Sequence, residues 1–300
     1  MKELEEVKLQ IKEYIKEIND PKSLELFGLL SSGKMLRSKL VLKIAGVNQQ
    51  SIKLCAIIEM IHAASLLHDD VIDEADTRRG SPSINALFDN KTSIMFGDIL
   101  YSKAFTKLTT MPSDIAYNIS NAVTLLSVGE MLDVDLGKSF NKSYDKYLDM
   151  IYKKTASLIE ASAKSAAILA NKDQNSFALY GKNLGLAFQM VDDILDITQS
   201  SEKLGKPSMS DFAEGKVTIP YLLTWERLNQ DEKIKLESLY LKKLNKEELS
   251  WIKTKIKTTN ALQDSIKLAK KFGFEAIEAI KDEQNEDLIN IMKSMIERDY

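Results

Sequence analysis

The chain has 300 residues, and 44% of them are hydrophobic, enough for a large core in one or two domains. A net charge of −3, with no basic stretch interleaved with aromatic residues, argues against nucleic-acid binding. The single cysteine, Cys55, cannot form an internal disulfide or a cysteine metal site. The N-terminus is unlike a signal or transit peptide, and no apolar run approaches a membrane span, so we expect a cytoplasmic protein.

Apolar residues recur at helical spacing along the whole chain, and no convincing alternating strand is present. The pattern predicts helices over 4–18, 23–30, 35–45, 52–74, 93–108, 116–136, 144–170, 176–198, 217–227, 233–241, 246–258, 261–281 and 286–298. The clearest loop is 200–215, where Gly, Ser, Asp and Pro concentrate. We therefore predict an all-α fold, with residues 1–300 forming a single domain of long antiparallel helices around a central apolar cavity.

A first acidic cluster lies in the sequence HAASLLHDDVIDEADTRRG, at 62–80. On a helix, Asp69 and Asp73 would share a face, with Asp70 at its flank. By itself, such a charge run is equally typical of a solvated helix end. A metal site is the alternative, because Mg²⁺ takes oxygen ligands and keeps positions open for substrate phosphates.

A second copy of the pattern favours the metal site. The sequence FQMVDDILD, at 188–196, again places an aspartate pair three residues before another aspartate, on an otherwise apolar helix. Two such clusters, Asp69, Asp70 and Asp73 with Asp192, Asp193 and Asp196, suggest one site approached from two sides.

A polyanion held by such metals would also meet cationic side chains. The candidates lie in short motifs along the chain: Lys34, Arg37, Arg78, Arg79, Lys154 with Thr155, Lys206 and Lys216. Each alone could be surface charge, although paired guanidinium groups suit phosphate oxygens. His62 lies two turns before Asp69 and is either a buried structural histidine or a diphosphate ligand. No zincin, P-loop or dinucleotide-binding motif is present.

These motifs occur in a fixed order: GKMLR, IHAASLLHDDVIDEADTRRG, NALFDNK, GD, GEMLD, KTA, FQMVDDILD, LGKP and EGKVTIP. The ordered set, from about residue 31 to 220, resembles the trans-type polyprenyl (isoprenyl) diphosphate synthase family. Two departures stand out. The family's basic, proline-containing first segment reads SGKMLRS here, and a loop glycine is replaced by Met209.

The resemblance implies roles for individual residues. Lys34, Arg37, His62 and Arg79 would bind isopentenyl diphosphate, and Arg78, Lys154, Thr155, Gln189, Lys206 and Lys216 would serve the allylic diphosphate. Asp69, Asp70, Asp73, Asp192, Asp193 and Asp196 would be the catalytic carboxylates that hold Mg²⁺.

The resemblance also implies a reaction. Mg²⁺ would help the allylic diphosphate to leave, isopentenyl diphosphate would attack the carbocation, and the departing diphosphate would take the proton. The family further implies a homodimer. Small Ala64 and Ser65 before the first motif favour a long, C30–C40 product for quinone side chains, although Ile61 and Ile57 could limit growth. A geranylgeranyl or farnesyl diphosphate synthase is the alternative.

More distant alternatives are a class I terpene cyclase, a non-catalytic partner subunit and a structural helical bundle. A cyclase would carry a different second motif and would leave the isopentenyl-side cations without a purpose. A partner subunit would be expected to lose motif aspartates, and all six are retained here.

Overall fold

The computed structural model describes residues 2–31, 33–199 and 209–297. The helices of its first part are α1 Lys2–Lys16, α2 Pro21–Leu29, α3 Leu36–Ala45, α4 Gln49–Ile72, α5 Ile84–Leu87, α6 Asn90–Leu108, α7 Ser113–Gly137, α8 Tyr144–Ile151, α9 Ser157–Leu169 and α10 Gln174–Thr198. The remainder are α11 Ser210–Ala213, α12 Ile219–Arg227, α13 Gln230–Ser238, α14 Lys246–Thr258, α15 Ala261–Ala279 and α16 Glu286–Ile296. The described part of the chain therefore confirms the predicted all-α class.

Many helix starts are set by side-chain caps. Asn48 and Ser51 form a reciprocal capping box at the start of α4, and Asn245 and Glu248 do the same for α14. Asp20 caps α2, whose first residue is Pro21, a residue that fits the first helical turn. At such caps, several helices begin one to three residues before the start that the apolar pattern predicts.

The predicted secondary structure was wrong in three respects. The predicted helix 144–170 contains a π-helical turn, Tyr152–Ala156, between α8 and α9. A hairpin of β1 Thr77–Arg78 and β2 Ser81–Pro82 was missed, because strands of two residues are too short to show alternation. The short helices α5 and α11 were missed for the same reason of length.

One helix has the length and apolarity of a membrane span. This helix, α4, has a window of mean hydropathy 1.3, of which 67% is buried within the protein. The expectation that no apolar run approaches a membrane span was therefore wrong as to length. Burial of this kind is also typical of a core helix in a soluble protein, so the helix is weak evidence for a membrane.

The chain divides into two compact units. The first comprises Met1–Val123 and Ala161–Ala178. Its centre is α4, which packs against α1, α3 and α6. Ile57, Ile58, Ile61 and Ala64 on this helix are fully buried, which explains why it brings its terminal carboxylates to the edge of a core.

The second unit comprises Thr124–Glu160 and Leu179–Tyr300. Its core is rich in aromatic side chains, including the fully buried Tyr147, Phe212 and Tyr221. Here α12 packs against α8, α14 and α15. The single domain over 1–300 stays a prediction.

Candidate active site

The first acidic cluster lies where α4 ends. The helix stops at Ile72, and Asp73 is its C-terminal cap, with its N–H donating to the Asp69 carbonyl at 2.8 Å. Asp70 is buried, whereas Asp69 is half-buried and Asp73 is exposed. The three carboxylates therefore differ in their access to solvent, which the helical projection did not predict.

The hairpin after α4 delivers a counter-charge to the buried carboxylate. Arg79 and Gly80 form its two-residue turn with φ values of 54° and 77°, the left-handed pair that such a turn requires. This turn places Arg78 so that its Nε donates to Asp70 Oδ1 at 2.5 Å. Burial raises the pKa of Asp70, and the charge of Arg78 partly offsets that rise. Arg78, which the resemblance assigns to the allylic side, thus contacts the first acidic cluster.

A group of cations lies beside this hairpin. The Arg79 guanidinium donates to the Ser31 carbonyl at 3.1 Å and lies flat on Gly33, where a Cβ would come within 2.6 Å of Nη1. Burial lowers the pKa of His62, and the positive charges of Arg37 and Arg79 lower it further. These three predicted side chains are therefore close together, and His62 is neutral at pH 7.

The same group has an incomplete set of hydrogen bonds. Burial lowers the pKa of Arg37, the nearby Glu59 partly compensates, and the neighbouring Arg79 lowers it again. Among the described residues, the buried Nε of Arg37 has no hydrogen-bond partner. Lys34 is exposed next to Gly33. Mutually repelling cations with an unused donor are what an anion site requires.

The second acidic cluster lies in the second unit and faces a cavity of about 380 Å³. Asp193 and Asp196 are buried, and Asp192 is half-buried. The cavity is lined by residues from α7, the loop before α8, α8, the π-turn, α10, α11 and the segment after it: Asp133, Leu136, Asn141, Tyr147, Met150, Ile151, Lys154, Thr155, Gln189, Asp192, Asp193, Leu195, Asp196, Asp211, Gly215, Lys216, Val217 and Thr218. All the predicted allylic-side residues that are described, except Arg78, therefore line one cavity with the three aspartates.

Asp193 is held by two uncharged donors. The Tyr147 hydroxyl donates to its Oδ2 at 2.5 Å, and the Gln189 amide donates to its Oδ1 at 3.0 Å. Burial, together with the negative charge of Asp211, raises the pKa of Asp193 to about 8. Among the described residues, no positive charge contributes to this shift, whereas the charge of Arg78 partly offsets the raised pKa of Asp70.

The cationic wall of this cavity is built by the π-turn. Lys154 Nζ lies 2.6 Å from Asp133 Oδ2 and 2.9 Å from Glu130 Oε2, and the Thr155 hydroxyl donates to the Gln189 side-chain oxygen at 2.9 Å. The turn packs so closely on α7 that a Cβ at Gly129 would overlap the Lys154 backbone. A π-turn widens the helix by one residue, and such turns are frequent at functional sites.

The wall of the cavity around residues 209–211 is hydrogen-bonded to Asp196. Its carbonyl accepts from the Met209 N–H at 2.8 Å, and its carboxylate accepts from the Ser210 hydroxyl at 3.3 Å and from the Asp211 N–H at 3.4 Å. Met209, which replaces a loop glycine, adopts a left-handed φ of 62°. Lys216 follows α11 and lines the cavity. Lys206 lies outside the described residues.

The donor set suits a hard divalent cation. In residues 2–31, 33–199 and 209–297, no group of three or more Asp, Glu, His or Cys side chains forms a ready-made metal cage. Mg²⁺ is commonly held by one or two carboxylates, with water and substrate phosphates completing its shell. Burial, and then the charge of Asp211, raise the pKa of Asp193, and such a cation would stabilise its ionised form. Asp192 and Asp196 supply further carboxylate oxygens beside it.

Sequence reasoning missed several residues of these sites. Tyr147, Asp211 and Glu59 contact or electrostatically influence predicted site residues but carried no predicted role. Glu59 lies three residues before His62 on one helix face, a spacing that could have identified it. Tyr147 and Asp211 reach Asp193 through tertiary packing, for which the sequence has no local signal.

Comparisons with known proteins support the resemblance. Residues 26–256 match the model of the polyprenyl synthetase family. An octaprenyl pyrophosphate synthase structure from Helicobacter pylori is 46% identical, covers 99% of both chains and superposes with a TM-score of 0.94. A prenyl transferase from Cyanidium caldarium is 39% identical over 90% of this chain and 87% of its own length.

Two further matches bear on product and metal. A geranylgeranyl diphosphate synthase from Sulfolobus acidocaldarius is 37% identical over 83% of this chain and 80% of its own length. The structure of a Caulobacter crescentus polyprenyl synthase, complexed with calcium and isoprenyl diphosphate, is 29% identical, with a TM-score of 0.89 over 99% of this chain and 94% of its own.

Proposed function

Because the chain belongs to the polyprenyl synthetase family, we propose that it condenses isopentenyl diphosphate with an allylic diphosphate, such as farnesyl diphosphate. The product is an all-trans polyprenyl diphosphate. The observation that carries this proposal is that the predicted residues form an anion site of cationic side chains in the first unit and an acidic cavity in the second.

We assign the isopentenyl diphosphate to Lys34, Arg37, His62 and Arg79. The unused Nε donor of Arg37 and the flat guanidinium of Arg79 suit the planar, bidentate recognition of phosphate oxygens. Burial lowers the pKa of Arg37 and of Arg79, and a neighbouring arginine lowers each further, so a bound dianion would stabilise both guanidinium groups. Binding energy here would hold the nucleophilic double bond in position.

We assign the allylic diphosphate to Lys154, Thr155, Gln189, Lys206 and Lys216, with Arg78 at the first acidic cluster. Mg²⁺ would be held by the six motif aspartates, Asp69, Asp70, Asp73, Asp192, Asp193 and Asp196. It would supply Lewis-acid chemistry to the leaving diphosphate. Lys154 and Lys216 would neutralise further charge on the leaving group as the allylic C–O bond breaks. As the family implies, the departing diphosphate would take the proton lost after addition.

We propose a long product of C30–C40, a precursor of quinone side chains. Ala64 and Ser65 before the first motif are small, and the octaprenyl pyrophosphate synthase that the chain resembles makes a product in this range by name. Ile61 and Ile57, both fully buried one and two turns earlier, are the first candidates for a floor. The geranylgeranyl alternative keeps support from the Sulfolobus acidocaldarius relative.

We also propose that the enzyme is a cytoplasmic homodimer without a membrane span. The first unit exposes apolar side chains at Leu87, Phe88, Ile94 and Met95, between 40% and 54% of each accessible. A second copy of the chain would bury such a patch. Light scattering of the purified protein should give twice the chain mass, and fractionation of cells should leave it in the soluble fraction.

Product analysis tests the activity. Purified protein is incubated with Mg²⁺, farnesyl diphosphate and excess isopentenyl diphosphate, and the chain lengths are read by mass spectrometry after dephosphorylation. We expect a ladder ending near C30–C40, and no product in EDTA. A sharp stop at C20 would support the geranylgeranyl alternative, and Ile61→Ala should then lengthen the product.

The same assay separates the remaining alternatives. Cyclised hydrocarbon from the allylic diphosphate alone would favour a terpene cyclase. Absence of any elongation by folded protein, with geranyl and geranylgeranyl diphosphate also tried, would overturn the enzyme assignment and favour a partner subunit.

A further inference from the structure

A buried tyrosine far along the chain contacts two walls of the acidic cavity at once. The Tyr240 hydroxyl lies 2.5 Å from the Gly215 carbonyl and 2.9 Å from the Gly137 carbonyl. Gly137 is the last residue of α7, whose carbonyls lack helical partners, and Gly215 directly precedes Lys216. One phenolic hydrogen is therefore shared between two carbonyl groups on separate segments.

Each of these two segments carries residues of the cavity. The end of α7 contributes Asp133, which pairs with Lys154, and the segment after Gly215 contributes Lys216. The wall bearing Lys154 and the wall bearing Lys216 are thus both connected to the Tyr240 hydroxyl. No residue between 228 and 297 lines the cavity itself.

The turn at Gly215 depends on close packing around this contact. Its φ of 89° lies in the left-handed region, and a Cβ there would come within 2.9 Å of Leu241 and 3.0 Å of the Gly137 carbonyl. The Lys216 N–H closes the turn by donating to the Asp211 carbonyl at 2.7 Å. The turn therefore fixes the backbone of Lys216, and with it the point from which its side chain reaches the cavity.

An aromatic cluster fixes the ring that carries the hydroxyl. The Tyr240 ring packs edge-on against Phe212, at 5.7 Å between centroids, and against Phe140, at 5.6 Å. Burial and the charge of Asp133 raise the pKa of Tyr240 to about 12, so the hydroxyl stays a donor at any ordinary assay pH.

We propose that Tyr240 is a positioning residue for the allylic diphosphate: its hydroxyl joins the end of α7 to the Gly215 turn and so sets the spacing of Lys154 and Lys216. This inference rests on the proposed function, because it gives those two lysines a shared ligand. A diphosphate spanning both lysines needs them at a fixed separation. The cationic side chains proposed to bind isopentenyl diphosphate belong to the first unit, and their spacing does not depend on Tyr240.

The test uses two tyrosine-to-phenylalanine variants, Tyr240→Phe and a matched control, Tyr180→Phe. Tyr180 is fully buried in the same unit, and its hydroxyl donates to the Leu288 carbonyl at 2.7 Å, but it does not line the cavity. Each variant keeps its ring and loses one buried hydroxyl, which contacts two backbone carbonyls in Tyr240 and one in Tyr180. A purely structural role would give both variants the same phenotype.

Binding of farnesyl diphosphate with Mg²⁺, measured by calorimetry without isopentenyl diphosphate, gives a readout that needs no turnover. We expect the Kd to rise roughly three- to tenfold in Tyr240→Phe, which matches the net value of about one hydrogen bond, and to stay unchanged in Tyr180→Phe. In the elongation assay, KM for farnesyl diphosphate should rise by a similar factor in Tyr240→Phe, with KM for isopentenyl diphosphate unchanged.

Equal Kd values in wild type and Tyr240→Phe would overturn the inference, as would equal losses in both variants or a matching rise in both KM values. Failure of the proposed function gives a different result. Wild-type protein would then bind farnesyl diphosphate without elongating it, and the calorimetric comparison would still decide the role of Tyr240.

Discussion

The two aspartate-rich motifs share one sequence pattern, yet their surroundings differ in charge. In the first, the buried Asp70 is paired with Arg78, and Arg79 and Arg37 add positive charge near the neutral His62. In the second, Asp193 is buried with a tyrosine, an amide and a second carboxylate, and its pKa rises to about 8. The same sequence pattern thus places a buried carboxylate beside an arginine in one region and, among the described residues, beside uncharged donors and a carboxylate in the other.

This difference in charge indicates which kind of ion each region would bind. Burial and neighbouring arginines lower the pKa of Arg37 and of Arg79, so a bound anion would stabilise both guanidinium groups. Among the described residues of the second cavity, burial and the charges of Asp211 and Asp192 raise the pKa of Asp193, so a bound cation would stabilise its ionised form. We therefore expect matched substitutions in the two regions to give opposite signatures.

The largest effect should come from Asp70→Asn and Asp193→Asn. Each should lower kcat by about 100-fold or more, because each removes a carboxylate from the proposed metal sites. Thermal unfolding without Mg²⁺ should separate them. Asp70→Asn should be less stable, because Arg78 loses its partner, whereas Asp193→Asn should be as stable as wild type or more so. The opposite order of stability would contradict the comparison.

A smaller effect should come from Arg79→Gln and Lys154→Gln, which exchange charge for an amide in each region. Arg79→Gln should raise KM for isopentenyl diphosphate about 10- to 100-fold, and Lys154→Gln should do so for farnesyl diphosphate, since each loses a charge-assisted contact. The other substrate's KM should change little in each case. Steady-state kinetics with one substrate saturating makes the measurement, and a mixed pattern would contradict our assignment of substrates.

Gly129→Ala should test the close packing in the second region. The added Cβ would overlap the Lys154 backbone, so we expect a loss of about 1–3 kcal/mol in unfolding free energy and a displaced lysine. Gly28→Ala is the control, because its Cβ would meet nothing within 4 Å and α2 should gain helical propensity. Urea denaturation compares the two, and equal stability would show that the π-turn can shift without cost.

The smallest effect concerns pH in metal-free protein. The folded pKa of Asp193, about 8, lies above its unfolded value of about 3.9, so the folded state holds this proton more tightly. Its contribution to stability is fully present below about pH 4 and is lost as the pH rises towards 8. Melting temperatures in EDTA should therefore fall over this range in wild type and fall less in Asp193→Asn. Mg²⁺ should reduce the change of melting temperature with pH in wild type. Identical changes in wild type and Asp193→Asn would argue against a raised pKa of Asp193.

Much of this protein was decided by local sequence. Helical periodicity predicted the all-α class and most helix bounds, because a helix that packs on a core must repeat its apolar face every three to four residues. The ordered motifs gave the family, since each carries a residue type that the chemistry needs. The roles of the site residues stay predictions of this kind.

The tertiary structure decided what each motif residue contacts. The sequence could not show that Arg78 pairs with Asp70, that Tyr147 and Asp211 set the pKa of Asp193, or that a π-turn orients Lys154. Nor could it connect Tyr240 with Gly215, 25 residues earlier. Such contacts join segments far apart in the chain, and their energies depend on burial and distance. Periodicity and spacing report which residue faces a core, whereas the fold determines which charges share it.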